Sequence, residues 1–230
     1  MADLVIYGSP VSPFVRKTAA TCIEKGIDFE IEAVNVFDPP EWFRAISPMK
    51  RIPVLRDRSI AAEGPAGTIA DSSAICAYID KKHPETPLLP AEPYDHGRAL
   101  MLEEYADTTL AMATGMGMFR PIFFALTKGE QPDVIAAKEA WTSKLPPVLD
   151  YLESQLGEAD YFVGNSFSLA DITITCCLMQ GMLVAEMPMD KWPALAAHHA
   201  RMMERPSIAG PYAKADSFIR KTLPERIVLD

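Results

Sequence analysis

The segment Ser9-Pro10-Val11-Ser12-Pro13-Phe14-Val15-Arg16-Lys17 follows a short apolar run, Leu4–Tyr7, and opens a stretch with helical spacing. Proline suits the first helical position, and the residue before it is pushed toward extended backbone. Ser12 is therefore predicted to be the N-cap of a helix that begins at Pro13, with its hydroxyl near unpaired N–H groups. A helix start of this kind attracts anions. Ser12 is thus either part of an anion site or a helix cap alone.

The residues around this segment alternate between strand and helix patterns up to about residue 82. Short apolar or alternating runs predict strands, and apolar residues at helical spacing predict helices. The predicted order is β-α-β-(short helix)-β-β-α. Its clearest elements are strands at Leu4–Tyr7, Phe29–Ala33 and Ile52–Leu55, and helices at Pro13–Lys25 and Ser72–Lys82.

Residues 83–93 form a predicted linker, because four prolines fall within these eleven residues and proline breaks helices. Beyond the linker only helical patterns remain. Gly115 and Gly117 are weak points in the first helix, and Pro146-Pro147 predicts a kink or a fresh start. The predicted helices cover 94–127, 134–156, 169–185, 193–204 and 207–216. The fold class is therefore α/β plus all-α: a small α/β domain (1–82), the linker (83–93) and an all-helical domain (94–230).

Three further motifs predict specific local structure, and two of them could also bind a ligand. Pro53 cannot join an ordinary ladder, so Ile52-Pro53 is either a cis bond that aims backbone groups at a ligand or part of an edge strand. Asp71-Ser72 starts a helix and suits an amino-acid head group, or serves as a cap with nothing bound. Ser168 and Asp171 form a capping box, which we interpret as structural.

Composition and charge exclude several classes of function. The chain has 230 residues, 49% apolar and 23% charged, with a net charge of −9. This charge argues against nucleic-acid and anionic-membrane binding. The longest uncharged helical stretch, Ile172–Ala185, is shorter than the ~20 residues that span a bilayer. The four cysteines have no metal-ligand spacing, and no nucleotide-binding glycine motif occurs. We therefore expect no metal, no secretory signal and a cytoplasmic location.

Taken together, the motifs resemble the cytosolic glutathione S-transferase family over nearly the whole chain. The resemblance is carried by the SPFVRK segment, Ile52-Pro53, Asp71-Ser72, the proline-rich linker and Phe167-Ser168-Leu169-Ala170-Asp171. Within this family, the chain is similar to serine-type members such as the tau class, zeta-like proteins and related bacterial proteins. The resemblance implies an N-terminal thioredoxin-like domain followed by a C-terminal helical bundle.

The resemblance also implies a role for Ser12, which would donate a hydrogen bond to the thiolate of glutathione. Two other hydroxyls compete for this role, those of Ser9 and Tyr7, because related classes use a serine slightly earlier or a tyrosine at the end of the first strand. No cysteine stands at positions 9 to 14, which argues against the cysteine-dependent classes.

The rest of glutathione would be held by three other parts of the first domain. The Ile52 backbone, before a cis Pro53, would pair with the cysteinyl part. Asp71 and Ser72 would hold the γ-glutamyl end, although the family often has Glu at the first of these positions. Arg51 would reach the glycyl carboxylate.

A second substrate would lie between the domains, where pockets are often found. Phe14 and, on the helix after the linker, Met112, Met116 and Phe119 are candidates for its wall. Met and Phe make an adaptable apolar surface. The same residues could instead belong to the core.

The implied function is an enzyme, a glutathione transferase that adds the glutathione thiolate to small, mostly apolar electrophiles. Glutathione would be its co-substrate, and a role in detoxification as a homodimer follows from the same resemblance. Two alternatives stay open. One is a glutathione-dependent isomerase or dehalogenase on the same scaffold, and the other is a non-catalytic protein that binds glutathione or another ligand.

Overall fold

A four-stranded sheet forms the N-terminal domain in the computed structural model, which describes residues 2–229. Its strands are β1 (Leu4–Tyr7), β2 (Phe29–Glu32), β3 (Val54–Asp57) and β4 (Thr68–Ala70), in the order β2-β1-β3-β4. β1 runs parallel to β2 and antiparallel to β3, and β3 runs antiparallel to β4. The predicted order of elements is confirmed.

Helices cover both faces of this sheet because side chains alternate along β1. Leu4 and Ile6 pack with α1 (Pro13–Glu24) and α3 (Ser72–Lys82), while Val5 and Tyr7 face the side that carries the short helix α2, Glu41–Ile46. A sheet with helices on both faces is the predicted thioredoxin-like arrangement.

The C-terminal domain is all helical, as predicted. It contains α4 (Pro93–Thr127), α5 (134–156), α6 (Leu169–Met182), α7 (Pro193–Met203) and α8 (Pro206–Arg220). Within α5 the hydrogen bonding is of the π type over Ala140–Lys144, and α-helical bonding starts again at Leu145, with prolines in its first turn. The predicted fresh start at Pro146-Pro147 is therefore present inside a continuous helix.

The long helix α4 passes through both glycines that we expected to weaken it. Its hydrogen bonds are of the π type over Met112–Phe124, and the wider turn accommodates Pro121 inside the helix. Gly117 has a packing role, since a Cβ there would lie 2.7 Å from the Cβ of Ala140 on α5. Glycine is therefore required at position 117 because α4 and α5 approach each other too closely there for a side chain.

By length and composition alone, α4 would also qualify as a membrane-spanning helix, a test that core helices of globular proteins pass too. The sequence prediction considered only uncharged stretches and therefore did not include this helix. In the structure α4 packs against α6 and α5 with a series of buried residues, which are Leu102, Ala106, Leu110, Met118 and Ile122.

α6 is the buried centre of the helical domain, as its all-round apolar sequence predicted. Its start is the predicted capping box: the Asp171 carboxylate accepts hydrogen bonds from the Ser168 backbone N–H at 2.8 Å and from its Oγ at 2.9 Å. The other carboxylate oxygen contacts His198 Nε2 at 2.9 Å and Phe162 N at 3.1 Å. One buried side chain thus ties the helix start to α7.

β3 begins later than predicted, because Pro53 lacks the N–H that a ladder needs; pairing with β1 starts at Val54. The long connection after β3 is ordered around Arg56. Its guanidinium is buried and donates to the carbonyl oxygens of Ala61 and Ala66, both at 3.0 Å, and of Gly64.

We predict that Gly8→Ala destabilises the protein. A Cβ at Gly8 would lie 2.5 Å from Val15 Cγ2, so Val15 on α1 must shift, while Ile52 Cβ at 3.4 Å leaves no spare room on the other side. Overpacking of this kind costs about 1–3 kcal/mol in the free energy of unfolding. Urea denaturation measures the change. Gly97→Ala is the control: it lies on α4 with no atom within 4 Å and should be neutral or stabilising. Equal stability of the two variants would contradict the prediction.

Asp57, at the end of β3, should make stability depend on acidic pH. Burial alone would raise the pKa of its carboxyl, but hydrogen bonds from Lys82, Ser59 and Tyr78 outweigh burial and hold the pKa at about 2, against an ordinary 3.8. Since the folded-state pKa is depressed, the stabilisation is complete above roughly pH 4 and is lost as pH falls toward 2.

The test compares Asp57→Asn with wild type by chemical denaturation between neutral pH and pH 2. The variant should be less stable at neutral pH and should lose less stability on acidification. Asp38→Asn is a matched control because the Asp38 side chain is 88% exposed. A wild type and an Asp57→Asn variant with parallel pH profiles would contradict this assignment.

Candidate active site

The topology of the sheet brings the predicted site residues to one edge. Tyr7, the last residue of β1, pairs with Val54, and Val54 pairs with Ala70. Gly8 N donates to Glu32 O at 2.8 Å, so β2 ends at this edge as well. The loop that carries Ser12, the Ile52-Pro53 dipeptide before β3 and the Asp71-Ser72 pair after β4 therefore lie side by side.

The loop between β1 and α1 is a tight turn with an uncommitted hydroxyl. Ser12 N donates to Ser9 O at 3.0 Å, and Ser9 Oγ accepts from Val11 N at 3.4 Å. Ser12 has the extended backbone of an N-cap, as predicted, but its side chain makes no capping hydrogen bond to the first turn of α1. It is half-buried, so the hydroxyl remains available at the start of the helix.

Arg16 holds this loop against the helical domain. Its guanidinium is buried and donates to Val11 O at 2.7 Å, to Cys176 O at 3.0 Å and to Gln180 Oε1 at 2.9 Å. All three acceptors are neutral, and burial lowers the pKa of Arg16. Val11 itself belongs to the apolar core of the helical domain. The loop is therefore positioned by both domains.

The Ile52-Pro53 bond is cis, one of the two alternatives that the sequence left open. Ile52 lies just outside the β1–β3 ladder and is half-buried, while Pro53 is buried. The preceding residue, Arg51, is exposed. Its backbone is fixed by Ser47, whose hydroxyl donates to Arg51 O at 2.9 Å and accepts from Arg51 N at 3.2 Å.

Asp71 and Ser72 lie at the start of α3, as predicted, and they differ in their contacts. Asp71 is the N-cap of α3: its Oδ1 accepts from Ser73 N at 3.0 Å and from Ala74 N at 3.2 Å, and its φ of 90° lies in the left-handed region. Backbone strain of this kind is common at binding sites. Ser72 is buried, and its hydroxyl lies 3.5 Å from Lys17 Nζ.

Tyr7 and the cysteines are buried. The Tyr7 ring is 8% exposed and packs edge-to-face on Trp42, with the ring centroids 5.0 Å apart. The cysteines are buried, and burial raises the pKa of the Cys76 and Cys176 thiols to about 11, so they stay protonated at neutral pH. Among residues 2–229 no cluster of three or more metal-ligating side chains occurs.

The candidates for the second substrate fall into two groups. Met112 and Met116 are exposed on α4, by 59% and 43%. Phe14 is half-buried against the helical core, whereas Phe119 is only 3% exposed and packs against Phe123 inside that core. Phe119 is therefore a core residue, because its position on α4 turns it toward the bundle.

Sequence reasoning missed three residues around the site. Arg16 and Lys17 are buried cations, and their signal was available: they are the only two charges in the stretch Pro13–Ile23, whose other residues are apolar or small. Phe37 follows β2 in the loop at the same edge of the sheet and is 68% exposed. It meets Phe124 of α4 edge-to-face, with the ring centroids 5.4 Å apart. No periodicity marks a loop residue of this kind.

Comparisons with known proteins agree with the fold. Family models described as the N-terminal and the C-terminal domain of glutathione S-transferase match residues 6–87 and 117–215. Glutathione S-transferase 3 of Zea mays is 32% identical over 177 residues, which cover 74% of this chain and 75% of the relative. Glutathione S-transferase omega-1 of Mus musculus is 30% identical over 168 residues, 72% of this chain and 62% of the relative.

A solved structure of a glutathione S-transferase from Rhodospirillum rubrum F11 has the same fold, with a TM-score of 0.80 at 24% identity over 90% of this chain and 91% of the other. Because both domains match their family models, and a relative 32% identical aligns over most of its length, the chain belongs to the cytosolic glutathione S-transferase family of enzymes.

Proposed function

We propose that the chain joins the thiolate of glutathione to small, mostly apolar electrophiles, with Ser12 as the residue that stabilises the thiolate. The observation that carries the proposal is the convergence of three parts of the chain at one sheet edge. They are the loop with Ser12, the cis Ile52-Pro53 dipeptide and the strained Asp71 before α3. Family membership makes glutathione the ligand to test there.

One hydroxyl at the start of a helix can supply most of the free energy needed to ionise the thiol of glutathione at neutral pH. A thiol has a pKa of about 8.5, and lowering it by about two units takes roughly 2.7 kcal/mol in favour of the thiolate. A hydrogen bond to a charged group contributes about 1.5–3 kcal/mol, and the N-terminus of a helix adds to it. Since the Ser12 hydroxyl makes no capping bond and lies at the start of α1, it is available for this purpose.

The remaining contacts follow the polarity of glutathione. The backbone of Ile52 lies outside the ladder and can pair with the cysteinyl part. Ser72 and the second oxygen of Asp71 would receive the γ-glutamyl end, since Oδ1 of Asp71 already caps α3. Exposed Arg51 would receive the glycyl carboxylate. A local cation of this kind explains how a protein of net charge −9 can hold an anionic tripeptide.

The electrophile would bind between the loop after β2 and α4. Contact between Phe37 and Phe124 joins the two domains there, and Met112 and Met116 add exposed apolar surface on α4. Phe14 would complete the wall beside Ser12. Flexible Met side chains and aromatic rings favour a site that accepts varied apolar molecules.

A cytoplasmic homodimer with a role in detoxification is part of the same proposal. Exposed apolar side chains support self-association, because they give a partner copy apolar surface to bury; Ile60, Leu100 and Met101 are examples. Sedimentation of the purified protein measures the oligomeric state.

Ser12→Ala should lower kcat/KM for conjugation of a generic aryl halide by about 10- to 100-fold, because it removes one hydrogen bond to a charged group. The pKa of bound glutathione, read from thiolate absorbance, should rise by about one to two units. Ser9→Ala is the matched control and should keep most of the activity. Ser12→Ala activity equal to wild type would sink the role of Ser12.

Glutathione binding is tested separately from catalysis. Millimolar glutathione should raise the melting temperature of the wild type, because a ligand specific for the native state stabilises it. Binding without conjugation of any electrophile would favour the non-catalytic alternative, and turnover limited to isomerisation or dehalogenation would favour the other one. No thermal shift would mean that the ligand is wrong.

Arg51→Ala should raise the KM for glutathione by about three- to tenfold and leave kcat nearly unchanged, because an exposed ion pair contributes to binding alone. The difference from wild type should shrink as salt is added. Arg44→Ala removes the same charge from α2, where the side chain is 53% exposed, and should change neither constant. A salt-independent KM in the wild type would argue against Arg51 as the carboxylate partner.

A further inference from the structure

Lys17 is a buried cation on α1, and polar partners from both domains surround it. Its side chain is fully buried. The ammonium group lies 3.2 Å from Ser73 Oγ on α3 and 2.7 Å from Asp107 Oδ2 on α4, and it pairs with Glu103 on α4. Ser73 Oγ is itself 3.1 Å from the same Asp107 oxygen. The cluster therefore joins α1, α3 and α4.

The cluster contains two carboxyl groups, those of Glu103 and Asp107, but only one ammonium group, that of Lys17. Burial opposes the charge of Lys17, but neighbouring groups, among them Asp107 and Glu103, outweigh burial and raise its pKa. The pKa of Asp107 is raised, first by burial and further by the nearby Glu103 carboxylate, although Lys17 opposes both effects. Buried ion clusters rarely stabilise a protein better than apolar packing would. Stability alone therefore does not explain this cluster, and its position in the fold becomes important.

That position is directly beneath the first turn of α3. Ser72 and Ser73 are the first two residues of the helix, and Asp71 caps it from the outer side with a φ of 90°. Lys17 approaches both serine hydroxyls from the buried side, at 3.5 and 3.2 Å. The first turn is thus held from inside by the cluster, and its exposed side is the part to which the proposed function assigns the γ-glutamyl end of glutathione.

The neighbouring cation holds a different part of the site. Arg16 connects Val11, next to Ser12, to α6, whereas Lys17 connects the first turn of α3 to α4. Consecutive residues on α1 therefore attach the two ends of the proposed glutathione site to different helices of the C-terminal domain.

We infer that Lys17 is a positioning residue that sets the affinity for glutathione, by fixing the first turn of α3 against Glu103 and Asp107 of the helical domain. The inference rests on the proposed function, because the affected ligand is the γ-glutamyl end of glutathione. Lys17 makes no contact with the reacting thiolate in this scheme. Its loss should therefore act on binding and not on the chemical step.

Lys17→Gln tests this directly, with calorimetric titration of glutathione and steady-state kinetics on an aryl halide. We expect the Kd and the KM for glutathione to rise about tenfold and kcat at saturating glutathione to change less than about twofold, because one charged hydrogen-bonding partner is lost. A folded Lys17→Gln protein with the wild-type Kd would overturn the inference.

Arg205→Gln is the matched control for a general loss of domain docking. Arg205, at the N-cap of α8, makes a bidentate ion pair with Glu24 at 2.9 and 2.7 Å, and this pair joins the same two domains at the far end of α1. Its loss should lower the melting temperature and leave the Kd for glutathione unchanged. An equal rise in Kd for both variants would mean that Lys17 acts only through domain docking.

Ser73→Ala gives a second, milder test if Lys17→Gln does not fold. It removes the hydroxyl that Lys17 and Asp107 share and keeps the backbone N–H that Asp71 caps. The Kd for glutathione should rise about threefold, less than for Lys17→Gln because Lys17 and Asp107 keep their direct contact, and an unchanged Kd overturns the inference. If the wild type does not bind glutathione, both the proposed function and this inference are wrong. If the wild type binds glutathione and the variants bind it with the same Kd, this inference alone is wrong.

Discussion

The guanidinium of Arg16 connects the loop before α1 to α6, two segments that are far apart in the chain. Its hydrogen bonds reach Val11 O in the loop before α1, Cys176 O in the middle of α6 and the amide oxygen of Gln180. Because a buried cation without these acceptors would be very costly, the loop and the helical domain are held in one arrangement. The position of Ser12 depends on this constraint, since Ser12 directly follows the anchored residue.

α1 consequently packs against both domains and connects them. Its apolar side packs on the sheet through Val15 and Cys22, and Ala20 contacts the helical domain in a cluster with Ile172 and Met202. At its C-terminal end Glu24 pairs with Arg205 and Ser207. A short helix can join two domains this firmly because almost every residue along it is buried.

The linker between the domains is also held by polar contacts. Lys25 pairs with Asp80 at 2.7 Å and donates to the carbonyl oxygen of His83 at 2.8 Å. The same Asp80 carboxylate accepts from the backbone of Leu88 at 2.8 Å and of Leu89 at 3.3 Å. Prolines alone explain why this segment is not helical, and these contacts explain its path.

The sequence by itself determined the element order, the two-domain division and the capping box at Ser168 and Asp171, because these depend on short-range patterns of apolar, proline and capping residues. It also marked Ser12, Ile52-Pro53 and Asp71-Ser72. Only the tertiary structure decided that Asp71 caps α3, that Phe119 lies in the core and that Arg16 and Lys17 are buried between domains. These outcomes depend on which helix faces which, and residues far apart in the chain, such as Arg16 and Gln180, meet only after both domains have packed.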